Sequence, residues 1–119
     1  MITLATLPQA TAQQVFDQVA EHLLKQNLVS VDDRGICQYR GPSGLKCAAG
    51  CLIGDDEYRK YFESISWYEL CKWGYVPENH AKIIEELQSL HDGHPTNAWK
   101  DGLKLIAENN KLEWKFENL

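Results

Sequence analysis

The chain has 119 residues, 44% of them hydrophobic and 24% charged, with 17 acidic and 12 basic side chains and a net charge of −5. That balance excludes a disordered chain, and the length suits one domain, residues 1–119, burying about two-thirds of its unfolded surface around a single core. The acidic excess argues against non-specific duplex DNA binding, which rests on neutralising phosphates with a basic surface.

Met1 to Ala10 lacks a basic region followed by a long apolar run, and no stretch approaches about 18 consecutive apolar residues. The expectation is a cytoplasmic protein that neither crosses nor anchors in a membrane, with its four cysteines as free thiols in a reducing compartment.

In chain order, Ala12, Val15, Phe16, Val19, Ala20, Leu23 and Leu24 recur at helical spacing, which predicts an amphipathic helix from Thr11, its N-cap, to about Lys25. Between Val29 and Arg40, two short apolar stretches flank Asp32-Asp33-Arg34-Gly35, the pattern of a hairpin. Gly41-Pro42-Ser43-Gly44 reads as a type I turn. The small apolar run from Cys47 to Ile53 predicts a short buried helix, broken at Gly54 and followed by a helical turn or two to Phe62. Ser64 to Trp73 predicts another short helix, and Pro77 begins one running to about His91, buried through Ile83, Ile84, Leu87 and Leu90. His91-Asp92-Gly93-His94-Pro95 reads as a loop, and Thr96 as the cap of a last helix to about Asn109. Leu112, Trp114 and Phe116 then alternate with charged residues, as in an edge strand. The expected class is α+β, mainly helical, with about four to five helices and a small two- or three-stranded antiparallel sheet.

Chemistry concentrates in two places. Tyr39 and Arg40 end the hairpin and Lys46 precedes the expected helix at Cys47, so two cations sit beside exposed backbone N–H groups, favourable for an anion such as a nucleotide phosphate. The spacing does not match a Walker loop, and a turn with solvated flanks explains the same residues. Cys47 and Cys51 share one helical face, and with Cys37 and Cys71 they offer either a zinc site or small buried hydrophobes. His91, Asp92 and His94 form a compact group suited to a divalent ion or to acid–base work, or to a helix end with a turn. No nucleophile elbow, zincin pair or dinucleotide fingerprint is present, so a binding role is expected over an enzymatic one and no cofactor is implied. Trp67, Tyr68, Trp73 and Tyr75 crowd one stretch, with Trp99 and Trp114 later, as core or as interface and stacking groups.

Cys37-Gln-Tyr-Arg-Gly-Pro-Ser-Gly-Leu-Lys-Cys-Ala-Ala-Gly-Cys-Leu-Ile53, followed by Asp55-Asp56-Glu57-Tyr58, resembles small proteins encoded by tailed phages, prophages and plasmids. Their pattern reads Cys-x-Tyr-Arg-Gly-Pro-x-Gly-x-Lys-Cys-Ala-x-Gly-x-Leu-Ile. Leu87-Gln88-Ser89-Leu90-His91-Asp92 with Trp99 is similar to their Leu-Gln-x-x-His-Asp segment and downstream Trp. The likeness spans Thr11 to about Ala107 and implies a genetic context, not a reaction. In that context the expectation is a non-enzymatic accessory protein that counters host defence by binding. It either sequesters a nucleotide-like anionic signal, in a pocket shared between subunits of a homo-oligomer, or occupies a host defence protein through acids such as Asp55, Asp56, Glu57, Glu85 and Glu86. The candidate ligand-binding residues are Tyr39, Arg40, Lys46, His91, Asp92 and Trp99. The alternative is a small metal-dependent hydrolase using His91, Asp92 and His94.

Overall fold

The computed structural model describes residues 1–119. Helix α1 (Ala12–Gln26) opens with a reciprocal cap: the Thr11 hydroxyl accepts the Gln14 N–H, and the Gln14 side chain accepts the Thr11 N–H. It ends at Asn27, which adopts the left-handed conformation (φ 49°) common just past a helix. Helix α2 (Trp67–Lys72) is capped by Ser66, whose hydroxyl accepts the Glu69 N–H at 3.1 Å. Helix α3 (Ala81–Gly93) and helix α4 (Trp99–Asn109) follow. Short 3-10 turns punctuate the chain, including Ala49–Leu52, Lys60–Phe62 and Thr96–Ala98. No helix is long and apolar enough to cross a membrane.

One core of 24 buried side chains joins all four helices, with α3 packed against each of the others. Helices α3 and α4 pack tightly at Gly102, where a Cβ would run into the Leu90 side chain. Gly102 therefore trades helix propensity for a tight helix contact.

The expected α+β class is overturned: the protein is helical and contains no sheet. The segment read as a hairpin keeps its turn, closed by Asp32, whose carboxylate accepts the Arg34 and Ile36 N–H groups. Only one bridge, Val31 to Cys37, remains of the ladder. Side chains divert the rest. The Gln38 N–H does reach the Ser30 carbonyl, but the Gln38 carbonyl accepts from the Ser30 hydroxyl, and the Ser30 N–H turns to His91. The Tyr39 and Arg40 N–H groups go to the carboxylate of Glu63.

The tail fails to pair for a similar reason. Leu112, Trp114 and Phe116 do face inward and their neighbours outward, but the backbone of Glu113 is held by the amide of Gln13 on α1, which accepts its N–H at 2.9 Å and donates to its carbonyl at 3.1 Å. Gln18 clasps Ile2 in the same two-point manner, and Gln26 clasps Lys46. Three glutamines of α1 thus supply the hydrogen bonds that a neighbouring strand would supply.

Three other boundaries differ. No α-helix starts at Cys47, where only the four-residue 3-10 turn Ala49–Leu52 forms; Gly50 in that turn sits against the Tyr39 carbonyl, leaving no room for a Cβ. Helix α3 begins at Ala81, after Pro77, and continues through His91 and Asp92 to Gly93, so these two residues are helical and not in a loop. Thr96 begins a 3-10 turn and makes no capping bond.

Candidate functional site

The last two turns of α3 carry Gln88, His91 and Asp92, which meet Cys37 from the turn segment. The Gln88 amide donates to Asp92 Oδ1 at 2.8 Å and to Cys37 Sγ at 3.0 Å, while its oxygen accepts the Ala49 N–H at 2.9 Å. His91 is 1% exposed. Its Nδ1 lies 2.8 Å from Asp92 Oδ1, its Nε2 accepts the Ser30 N–H at 3.0 Å, and Trp99 stacks on its ring with centroids 5.5 Å apart. The two stretches that carry the sequence resemblance therefore converge here, Cys37 from one and Gln88, His91 and Asp92 from the other.

The protonation states follow from these contacts. Burial disfavours the imidazolium of His91, whereas hydrogen bonds with Asp92 and Cys37 favour it, and these influences together would lift the ring to about 9. The Ser30 amide decides otherwise. An N–H donated into Nε2 requires a lone pair there, so the ring is neutral with its proton on Nδ1, shared with Asp92; a second proton would set two N–H groups against each other in the core. Burial raises the pKa of Asp92, but hydrogen bonds from His91, Cys37 and Gln88 outweigh it and hold the carboxylate below its usual range. The Cys37 thiol is pushed well up by the neighbouring Cys47 thiol and by burial.

In this geometry the groups that thiol or general-base chemistry would use are already engaged. Thiol chemistry needs the thiolate, which Cys37 does not supply near neutrality. General-base catalysis needs a free lone pair on His91, and Asp92 and Ser30 engage both ring nitrogens. Cys37, His91 and Asp92 place their ligand atoms within 4.8 Å of one another, a spacing open to a metal ion. Yet the ring presents no free lone pair to one unless the Ser30 bond breaks. His94 lies outside this group; it is exposed, and its backbone carbonyl accepts the Trp99 indole N–H. Of the remaining thiols, Cys47 is buried beside Cys37, whereas Cys51 bonds the Ala48 carbonyl and Cys71 the Pro77 carbonyl.

The other candidate residues also serve the fold. Tyr39 is buried and donates its hydroxyl to the Ile65 carbonyl at 2.6 Å. Arg40 donates to the Ile53 carbonyl at 2.7 Å, pairs with exposed Asp55 at 3.2 Å and lies over the Tyr58 ring. Lys46 is elsewhere, in a shallow recess with Glu21, His22 and Lys25 to which Arg40 does not contribute. Trp99 is fully buried. The structure brings His91, Asp92 and Trp99 together but keeps Arg40 and Lys46 apart. With no α-helix N-terminus at Cys47, the junction loses the dipole that made it favourable for an anion.

The surfaces left without partners lie beside this network. A groove of about 800 Å³ runs between α3 and α4, with Leu90, Leu105 and Ile106 among its apolar residues and Glu85, Glu86 and Asp101 among its charged ones. On the other side of Glu85 and Ser89, a recess of about 320 Å³ reaches Cys37, Tyr39 and Trp67. Tyr61, Tyr68, Trp73 and Tyr75 are each about half exposed. Sequence reasoning missed Ser30, Glu63 and Gln88; of these, only Gln88 left a local signal, four residues before Asp92 on the same helical face. Comparison with protein-family models, with curated proteins and with solved structures gives no match.

Proposed function

We propose that the protein acts by occupying a partner protein, without catalysis, and that the partner docks in the groove between α3 and α4. One observation carries the proposal: an exposed apolar groove whose walls hold three acids, Glu85 and Glu86 on α3 and Asp101 on α4, against one base, Lys82. Neither Glu85 nor Asp101 takes part in an ion pair within the chain. Leu105 is 56% exposed in the groove.

The helices have 13 and 11 residues, so at 1.5 Å per residue the groove is about 16–20 Å long. That length suits about three turns of an amphipathic helix with apolar anchors below and lysines or arginines along its edges. The resemblance to phage- and plasmid-encoded proteins suggests a host protein in the cytoplasm as this partner, with its defence activity blocked by occupation. Sequestration of an anionic signal gains less support: Arg40 leaves its buried Nη1 without a partner, but its Nη2 is held by the Ile53 carbonyl and by the carboxylate of Asp55, and Lys46 lines a different recess.

The test is a photo-crosslinking amino acid at Leu105, with adducts from host cells identified by mass spectrometry. The expected result is one dominant protein adduct through a basic segment, lost on Asp101→Lys and weakened by salt. Adducts no different from those of a probe at Lys25 on α1 would overturn the proposal.

A further inference from the structure

The recess on the other side of Glu85 is a separate feature with different chemistry. Its volume of about 320 Å³ lies at the small end of the roughly 300–1,000 Å³ range of ligand sites. Tyr39, Trp67 and Tyr68 give it aromatic walls, Glu85 and Asp92 give it two carboxylates, and no lysine or arginine lines it. Asp92 is committed to His91 and Gln88 through Oδ1, whereas Glu85 makes no hydrogen bond within the chain. An independent observation marks the same place. Trp67 is 2% exposed and its indole Nε1 has no hydrogen-bond partner. Buried donors are almost always satisfied, so an orphan in a cavity wall calls for an explanation.

We propose that this recess binds a small planar organic cation, of amidinium or aminated heteroaromatic type, that also carries an oxygen or nitrogen acceptor. The positive group pairs with Glu85 and lies against the exposed ring of Tyr68, since ring faces attract cations. The acceptor takes the Trp67 N–H. Phosphate-bearing ligands are disfavoured, since two carboxylates would face the phosphate with no cation to offset them. The site can be tested apart from the docking groove: Glu85 and Ser89 border both, but Asp101 lines only the groove and Trp67 only the recess.

The experiment titrates the full-length protein with 4-amidinobenzamide and, separately, with 4-carboxybenzamide, its anionic counterpart, while following the four tryptophan indole N–H signals by ¹H–¹⁵N NMR. The expected result is a saturable shift of the Trp67 signal with the amidine alone and no matching shift at Trp73, Trp99 or Trp114. Glu85→Gln should weaken binding about tenfold, the effect of losing one charge-assisted hydrogen bond, and Asp101→Asn should leave it unchanged. The proposal is overturned if Trp67 does not respond, if the carboxylate probe shifts it equally, or if Glu85→Gln binds as the parent does. A positive result here combined with a failed crosslink at Leu105 would keep the recess and discard the groove.

Discussion

Helix α1 and the C-terminal end of α3 solve the same problem with different chemistry. Each holds backbone N–H groups that no neighbouring strand meets. On α1 the work falls to neutral amides, as Gln13, Gln18 and Gln26 each accept one N–H and donate to one carbonyl of a passing segment. At the end of α3 the Ser30 N–H is met by His91 and the Ala49 N–H by Gln88, and these side chains are tied in turn to Asp92 and Cys37. The α1 clasps lie at partly exposed positions where water can replace a lost bond. The α3 clasp reaches a fully buried Ser30. The difference teaches that a histidine, a carboxylate and a thiol in contact need not be a reaction centre: here Asp92 and Cys37 bond the side chains of His91 and Gln88, and those two hold the backbone.

The comparison breaks most sharply at His91. His91→Leu strands the buried Ser30 N–H and removes the ring stacked on Trp99, so a loss of about 3 kcal/mol is expected in urea unfolding. Gln88→Leu leaves the Ala49 N–H unmet and removes one of the donors to Asp92, at an expected cost of about 2 kcal/mol. Gln13→Ala should cost less, about 1 kcal/mol or below, because water reaches Glu113. If the α1 and α3 substitutions cost the same, burial is not what separates the two clasps.

Acid sharpens the comparison through a carboxylate that plays the same backbone-holding part. Burial raises the pKa of Glu57, but N–H groups of Gly54, Leu4 and Ala5 outweigh it and hold it below its usual 4.5. A depressed carboxylate stabilises the fold fully above its unfolded value and loses that contribution as pH falls through the folded one. The protein should therefore lose stability as pH drops below about 4.5, and Glu57→Gln should flatten that fall. Smallest of all is Lys104→Ala, which removes a surface pair with Glu117 and should leave the urea midpoint essentially unchanged.

Helix α1 was legible because its signals are local: a capping threonine and apolar residues at helical spacing. The sheet was misread because alternation records which way side chains face and not whether another strand is present. Leu112, Trp114 and Phe116 do face the core, but Gln13, a hundred residues away in the chain, takes the partner's place. The cluster at His91 and Asp92 was visible as residue types, yet its meaning depends on Cys37 and Ser30, which only the folded chain brings to it. Arg40 and Lys46 looked like a pair because they are close in sequence; the 3-10 turn that replaces the expected helix, and the pull of Ile53 and Asp55 on Arg40, send them to different surroundings.

The most direct test of the account is the tautomer of His91, read from the ¹⁵N shifts of its two ring nitrogens in histidine-labelled protein between about pH 6 and 8. The structure predicts a neutral ring throughout, with Nδ1 protonated and Nε2 holding a lone pair for the Ser30 amide. An imidazolium, or a proton resident on Nε2 with Nδ1 free, would contradict it and return His91, Asp92 and Cys37 to the list of groups able to move protons or hold a metal.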